Sequence, residues 1–364
     1  GETWLGWTET RDDPKDRDLG AQRLEMVDRL RRGAERIRAA APMFGAARRE
    51  MIARADEIDG LLDFFGAAGQ RSTRAALDFA RRKGRKVRYC QPSDPPRAID
   101  GVDARLYVLG PPENPALLKR HAPSKRTPET YGMSAFAEFL GAADWTMGTE
   151  GTVHPFAAPF VIPWAAAESV SFFQKRYWAT ACDDGDGRQD WRRIDASWLD
   201  MPADLALKLD AATNNTSLVL ALELPPRVVD GESVRDVLLF AADAQVGNWL
   251  SWQDLEWTAG ERMVTGPDLL ARTILYKVGH HGSHNATLRE KGLEQMTRLQ
   301  YAMIPVDATF ARETKGWDAM PLTDIVDRLG EITGGNRGAV LRADMPAPRD
   351  ARVRSTDLFH ELTL

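Results

Sequence analysis

Three of the chain's six histidines fall within five residues, at His280, His281 and His284. They follow an apolar run at 274–278, which predicts a buried strand. Imidazole is the commonest metal ligand in proteins and the side chain that transfers protons near neutral pH. Glycines on both sides of the His pair let the backbone turn tightly, so that the rings can point into a cleft. The pattern indicates a metal or proton-transfer site, although packing roles stay open and His284 can simply open the next helix.

A second apolar run, at 237–242, ends in Asp243. Because a bare carboxylate is costly to bury, Asp243 must be hydrogen-bonded, metal-bound or exposed, and a turn or helix-capping role is the structural alternative. Both polar ends lie on the carboxyl side of their strands, where α/β sheets gather ligands. Imidazole together with carboxylate suits zinc, manganese or iron. The two strand ends therefore predict one divalent-metal site.

The elements that must position these residues alternate in type from about residue 200 onward. Helices are predicted at 166–180, 285–299 and 322–329. Strands are predicted at 86–90, 105–109, 217–224, 236–242, 273–278, 301–306, 338–342 and near 357–363. This alternation predicts an α/β arrangement with a mixed sheet.

The first 85 residues are predicted to be an arginine-rich helical segment, either inserted or appended. Its helices are expected at 18–40, at 46–65 and from Ser72 or Thr73 to about Lys83. Between Arg71 and Arg88, eight Lys or Arg residues face a single Asp. Such a run is either a solvated helix face or a surface that binds nucleic acid.

The composition limits the classes of protein to which this chain can belong. The chain has 364 residues, 43% hydrophobic and 28% charged, with a formal net charge of -5, which is typical of a globular protein. No apolar run approaches the roughly 18 residues of a membrane helix, so no membrane contact is expected. The chain has two cysteines in no paired motif, which favours a reducing cytoplasm. Residues 111–165, rich in Pro and Gly, predict a long loop excursion.

Three motifs in a fixed order now allow a family comparison: NNTSLVLAL at 214–222, LLFAADA at 238–244 and KVGHHGS at 277–283. Together they resemble the metallo-β-lactamase superfamily, and more narrowly the branch that includes the hydrolase domain of bacterial competence DNA-uptake channels. The resemblance covers about 205–310, and more loosely 86–112 and 318–345. It implies that 86–364 is the central and C-terminal part of an αββα sandwich, to which the helical segment is added.

The resemblance also implies roles for individual residues. Asp243 would bridge one or two divalent ions, zinc or else manganese or iron. His281, or His280, would ligate a metal, with His280 assisting proton transfer. The cleft would be lined by Asn214, Asn215, Ser283 and His284. A metal-activated water would then attack an ester, phosphodiester or lactam, so the expected substrate is a small molecule or a phosphodiester.

The chain departs from the family at one motif. The His-x-His-x-Asp-His cradle that precedes these motifs in the family does not occur here, and His121, His154 and His360 are isolated. A catalytic zinc normally takes three protein ligands. We therefore expect the missing ligands from a segment preceding Gly1 or from a partner chain. The alternative is a non-catalytic scaffold of the same fold that binds nucleic acid or another partner.

Overall fold

The computed structural model describes residues 1–10, 72–118, 120, 164–177, 214–229, 231–315, 320–356 and 358–364, with scattered helical positions between 27 and 59. The chain divides into two compact units. One comprises Gly1–Arg17, Arg81–Ala137 and Asp210–Leu364, and the other comprises Asp18–Ala80 and Glu138–Leu209. Every described position within the helices predicted at 18–40 and 46–65 is helical. Most of the predicted 111–165 loop, including His121 and His154, lies outside the described residues.

The strands follow the apolar runs closely. Those predicted at 217–224, 236–242, 273–278, 301–306 and 338–342 are confirmed, each trimmed by up to two residues at an end. In chain order the strands are β1 Glu2–Gly6, β2 Lys86–Cys90, β3 Arg97–Ile99, β4 Val102–Gly110, β5 Val219–Glu223, β6 Arg227–Val229, β7 Glu232–Val234, β8 Val237–Phe240, β9 Glu256–Ala259, β10 Arg262–Thr265, β11 Thr273–Lys277, β12 Tyr301–Ile304, β13 Ala339–Arg342, β14 Val353–Ser355 and β15 His360–Leu362.

Seven strands form one mixed sheet in the order β13-β12-β11-β8-β5-β4-β3. The four strands β8, β11, β12 and β13 run parallel to one another. The strands β5, β4 and β3 continue the sheet in antiparallel fashion. The predicted α/β class with a mixed sheet is therefore confirmed. The parallel block matters most here, because the carboxyl ends of its strands meet at one edge of the sheet.

Eight α-helices lie within the continuously described ranges. In chain order they are α1 Ser72–Lys83, α2 Pro115–Leu118, α3 Trp164–Ser169, α4 Ser171–Tyr177, α5 Val246–Trp252, α6 Gly266–Ala271, α7 Ala308–Lys315 and α8 Thr323–Gly335. The helix predicted from 72 or 73 to 83 is confirmed as α1. The one predicted at 322–329 is α8, which extends six residues further. Within the described residues, none of the helices is long and apolar enough to cross a membrane.

The two faces of the sheet differ in burial. One face belongs to the hydrophobic core, where side chains such as Leu239 and Tyr276 pack with Trp249 and Trp252 of α5. Burying a side chain of this size stabilises the fold by about 1.5–3 kcal/mol. The opposite face, called here the second face, carries an apolar group on paired positions of three neighbouring strands: Leu106, Leu220, Leu222, Leu238 and Phe240. The four leucines are half-buried and Phe240 is 37% exposed.

The amino edge of the parallel block holds a buried ion cluster around Glu223, which ends β5. Its carboxylate lies 2.7 Å from Nη1 of Arg272 and 2.6 Å from Nη2 of Arg262, and the Tyr107 hydroxyl donates to it over 3.2 Å. Burial by itself raises the pKa of Glu223, but hydrogen bonding and charge from Arg272, with the charge of Arg262, hold that pKa below its ordinary value. The buried carboxylate is thus kept ionised.

The predicted helix at 285–299 is wrong. The structure has turns there and a single short 3-10 helix, Leu293–Gln295. The apolar residues whose spacing predicted a helix lie instead on irregular backbone. All four of them are buried there: Leu288, Leu293, Met296 and Leu299. Gly292 sits close to Trp249 and to the Leu288 carbonyl, so that a Cβ there would lie 2.4 Å from that oxygen. Tertiary packing overrides the helical pattern.

Two smaller differences concern segments outside the main sheet. The helix predicted at 166–180 is two helices, α3 and α4, which are separated at Val170. The chain also begins with a strand that the sequence did not predict, because β1 pairs in parallel with β2. That pairing joins residues 1–10 to the sheet-containing unit rather than to the helical one.

Candidate functional site

The candidate site lies at the carboxyl edge of the two neighbouring strands β8 and β11. These strands are parallel, with Leu239 opposite Tyr276 and Phe240 opposite Lys277. Asp243 follows the end of β8, and His280 and His281 follow the end of β11. The structure thus brings the two strand ends together at one edge, as the sequence analysis expected.

The two loops touch each other through the backbone. The His280 N–H donates to the Ala242 carbonyl over 3.0 Å, one residue before Asp243. Gly279 is closely packed here, because a Cβ on it would lie 3.0 Å from the same carbonyl oxygen and 3.3 Å from the Ala241 methyl group. The Asp243 N–H donates to Oγ of Ser217 over 3.3 Å, while the residue itself is exposed. The Asp243 carboxylate is therefore available at the surface of the edge.

The loop after β11 has an unusual backbone. Three consecutive residues have positive φ: His280 at 40°, His281 at 56° and Gly282 at 74°. Only glycine adopts this region without penalty, and each non-glycine residue there costs about 1–2 kcal/mol. The strain is held by hydrogen bonds on both sides, from the Ser283 N–H to the His280 carbonyl at 3.0 Å and from the Leu322 N–H to the Gly282 carbonyl at 2.9 Å. Strain of this kind is concentrated at functional sites in proteins.

Tyr276 anchors the base of the same loop from inside the core. Its hydroxyl accepts from the Gly279 N–H over 3.3 Å and lies 2.9 Å from Oγ1 of Thr287. Burial raises the pKa of Tyr276 to about 12, so the phenol stays neutral. It therefore acts as a fixed hydrogen-bonding support for the loop rather than as an acid.

The His280 ring lies in a polar network. Its Nδ1 is 2.7 Å from Oγ of Ser283, whose hydroxyl donates to Oδ1 of Asn285 over 2.8 Å. Because the Ser283 proton is used there, Ser283 accepts from His280, and the imidazole proton is assigned to Nδ1. The Asn214 amide nitrogen lies 3.0 Å from Nε2 and donates to its lone pair. The network thus favours the Nδ1–H tautomer of His280.

Asn215, expected to line the cleft, belongs instead to the scaffold beneath it. It is fully buried, and its amide nitrogen donates to the carbonyls of Leu118 at 3.3 Å and Arg120 at 2.9 Å. Its Oδ1 accepts from the Gln245 N–H over 3.1 Å. Asn215 therefore fixes the loop that follows Asp243 and has no open surface.

The other expected site residues are arranged around His280. His281 is half-buried, with its ring centroid 6.1 Å from that of His280. His284 is exposed, and Ser283 is buried against the His280 ring. Two neighbours of the ring were missed by the sequence analysis: Asn285, whose Oδ1 lies 3.4 Å from Nδ1 of His280, and Gln245, whose amide nitrogen also lies 3.4 Å from Nδ1 but cannot donate to it in the assigned tautomer. Both stand two residues after a predicted site residue, which is the signal that could have found them.

The donor types at this edge fit a divalent metal, but their number does not. Asp243 offers a carboxylate and His281 an imidazole, whereas both ring nitrogens of His280 are engaged by neighbours. Among the residues that the structure describes, no group of three His, Cys, Asp or Glu side chains could hold a metal ion. A catalytic zinc needs about three protein ligands. The described part of the chain does not complete a metal site.

Comparison with protein-family models, curated proteins and solved structures gives no match to this chain. The functional argument therefore rests on the geometry of the edge.

Proposed function

We propose that the carboxyl edge of β8 and β11 is the active-site edge of a metal-dependent hydrolase of the metallo-β-lactamase type. One observation carries the proposal. Two adjacent parallel strands end in loops that hold Asp243 and the pair His280–His281, and these loops are joined by the 3.0 Å hydrogen bond from His280 to Ala242. An exposed carboxylate beside a strained, closely supported His pair is an arrangement expected of a binding site.

The proposed reaction is hydrolysis of an ester or a phosphodiester. His280 is the described side chain best placed to move a proton, since its Nδ1–H is fixed by Ser283 and Nε2 remains the accepting nitrogen. In this tautomer the lone pair of the ring is on Nε2, where it accepts from the Asn214 amide, so Nε2 could take a proton from an attacking water that replaced this amide as its partner. Asp243 and His281 would supply two metal ligands, and residues outside the described part or a partner chain would supply the rest.

The second face supports the sandwich arrangement that this function requires. Its four leucines and Phe240 form one continuous apolar group on β4, β5 and β8. A sheet with one face in the core and the other face apolar is stabilised further when another layer covers it. We propose that a second sheet packs on this face, and that the same sheet brings the missing metal ligands to the edge.

Metal binding gives the first test. The 364-residue chain is stripped with chelator, re-exposed to zinc or manganese, and its metal content measured by inductively coupled plasma mass spectrometry. Asp243→Ala and His281→Ala should each lower the bound metal. His360→Ala is the matched control, because His360 lies in the β14–β15 hairpin and bonds to the Arg342 carbonyl. Equal metal content in all four proteins contradicts the proposal, and no metal in the wild type would leave a partner chain as the source of the remaining ligands.

Activity gives the second test. The metal-loaded chain is assayed against chromogenic esters and a chromogenic phosphodiester, and Asp243→Ala should abolish hydrolysis while His360→Ala retains it. Undiminished turnover by Asp243→Ala would remove Asp243 from the site and overturn the assignment.

A further inference from the structure

Positive charge is concentrated around the ribbon formed by β1 and β2. Residues 1–10 and 81–90 together with Arg97 carry seven Lys or Arg against two Glu. One of those carboxylates, Glu9, is matched by Arg81, whose Nη2 lies 2.6 Å from the Glu9 carbonyl and 3.3 Å from its carboxylate. Arg81 and Glu9 therefore offset each other, which leaves six cations and one carboxylate, Glu2, in these ranges.

One face of the ribbon carries an aromatic ring among the cations. In the parallel register Trp4 lies opposite Arg88 and Glu2 lies opposite Lys86, so these four side chains share one face. The guanidinium carbon of Arg97 lies 5.2 Å from the Trp4 ring centroid and that of Arg88 lies 6.0 Å from it, within the range of cation–π contact. The fold thus places a tryptophan from the chain start inside a basic cluster more than eighty residues away.

Among the described residues, the Glu2 carboxylate is the one paired with these cations. Glu2 lies 2.6 Å from Arg97, 3.9 Å from Lys86 and 4.0 Å from Arg88. Hydrogen bonds from Arg97 and then Trp4 lower the pKa of Glu2, which stays ionised and offsets one of the three charges. Arg82 and Arg85 precede β2 by four residues and one residue, are exposed, and make no ion pair with any residue in the described ranges. A net positive, solvent-facing surface remains.

We propose that this surface binds single-stranded nucleic acid. The Trp4 surface is defined as Trp4, Arg82, Arg85, Lys86, Arg88 and Arg97. Its cations suit a phosphate backbone, and an aromatic ring flanked by guanidinium groups suits an unpaired base, which stacks on either. An acidic protein surface would pair with the cations but offers no base, and in a duplex the base faces are stacked on one another and closed to the ring. The surface is independent of the hydrolase edge, so each proposal can fail without the other.

Fluorescence polarisation of the 364-residue chain tests the charge component. The probes are fluorescein-labelled oligothymidylate and oligouridylate, with a hairpin duplex of equal length as competitor. Binding should weaken with salt, and the double variant Arg82→Ala/Arg85→Ala should reduce the slope of log affinity against log salt by about 1.4, at about 0.7 for each lost phosphate contact. The control Arg312→Ala/Arg354→Ala removes two exposed arginines elsewhere and should leave the slope unchanged.

Trp4 variants test the stacking component. Trp4→Leu should weaken oligonucleotide binding about tenfold without changing the salt slope, and Trp4→Phe should recover most of the loss because it keeps an aromatic face. Circular dichroism of both variants shows whether β1 is retained. Three results overturn the proposal: an unchanged slope in Arg82→Ala/Arg85→Ala, equal affinity of Trp4→Leu and wild type, or duplex competing as well as single strand. Preference between the two oligonucleotides shows whether DNA or RNA is bound.

Discussion

The hydroxyl of Ser283 lies 2.7 Å from Nδ1 of His280 and, because it donates onward to Asn285, it acts as the acceptor for the imidazole proton. In a second Ser–His pair of the same unit, the hydrogen bond between hydroxyl and imidazole runs in the opposite direction. In the β14–β15 hairpin, His360 donates from Nε2 to the Arg342 carbonyl over 2.8 Å, so its Nδ1 accepts from Ser355, also over 2.8 Å. The structure therefore assigns different tautomers to the two histidines.

Nitrogen chemical shifts of the two rings check this assignment. In a long-range ¹⁵N–¹H correlation spectrum, His280 should show the Nδ1–H pattern and His360 the Nε2–H pattern. Ser283→Ala removes one hydrogen bond of about 1 kcal/mol, which should shift the His280 tautomer ratio about fivefold towards Nε2–H. Ser355→Ala is the matched control and should alter only His360. An identical pattern for both rings in the wild type would contradict the network.

The left-handed backbone at His281 predicts a measurable strain. With φ at 56°, His281→Gly should be more stable than His281→Ala by about 1 kcal/mol, since both lose the ring but only alanine keeps the Cβ that causes the penalty. Urea denaturation of the two variants measures the difference in free energy of unfolding. A more stable alanine variant would show that the loop relaxes out of this conformation. Both variants should lose metal alike.

The ion cluster at Glu223 should dominate the stability of the amino edge. Glu223→Gln keeps the shape but leaves Arg272 and Arg262 without their buried counter-charge, so the free energy of unfolding should fall by about 3–5 kcal/mol. Glu361→Gln is the control, because Glu361 pairs with exposed Arg354 over 3.5 Å and such a surface pair contributes less than about 1 kcal/mol. Equal losses in the two variants would contradict the prediction.

The same carboxylate predicts a dependence of stability on acid pH. The pKa of Glu223 is lowered on folding from its ordinary value of 4.5, so the folded state favours the ionised form. The contribution of this ionised carboxylate to the free energy of unfolding is complete above pH 4.5 and is lost as the pH falls through the pKa of the folded state. Thermal melts of wild type and Glu223→Gln should therefore converge below pH 4.5 and separate above it. A gap that stays constant across this window would exclude the linkage.

Sequence reasoning performed best where burial is continuous. The runs at 237–242 and 273–278 are apolar at every buried position except Thr273, so both strands and their polar ends could be predicted, and with them the meeting of Asp243 and the His pair. The 285–299 segment failed because its apolar residues are buried by turns that pack around Trp249, which a helical period cannot anticipate. The strand β1 was missed because its partner β2 is remote in the sequence.

The hydrogen bonds within the site could not be predicted from the sequence for a related reason. The link from His280 through Ser283 to Asn285 depends on consecutive positive φ values, which turn the chain so that residues three and five positions after His280 face its ring. Nothing in His-Gly-Ser-His-Asn fixes that turn in advance. The role of Asn215 was likewise hidden, because it is set by the distant carbonyls of Leu118 and Arg120.

The burial of Glu223 has a practical consequence for ionic strength. Mobile ions screen exposed charges over about 10 Å at 0.1 M salt, but they screen buried pairs much less. The Glu223 carboxylate at the end of β5 is fully buried, whereas the Lys86 side chain on the Trp4 surface is 62% exposed. Concentrated salt that dissociates an oligonucleotide from the ribbon should therefore leave the seven-stranded sheet folded, and the two processes can be separated in a single titration.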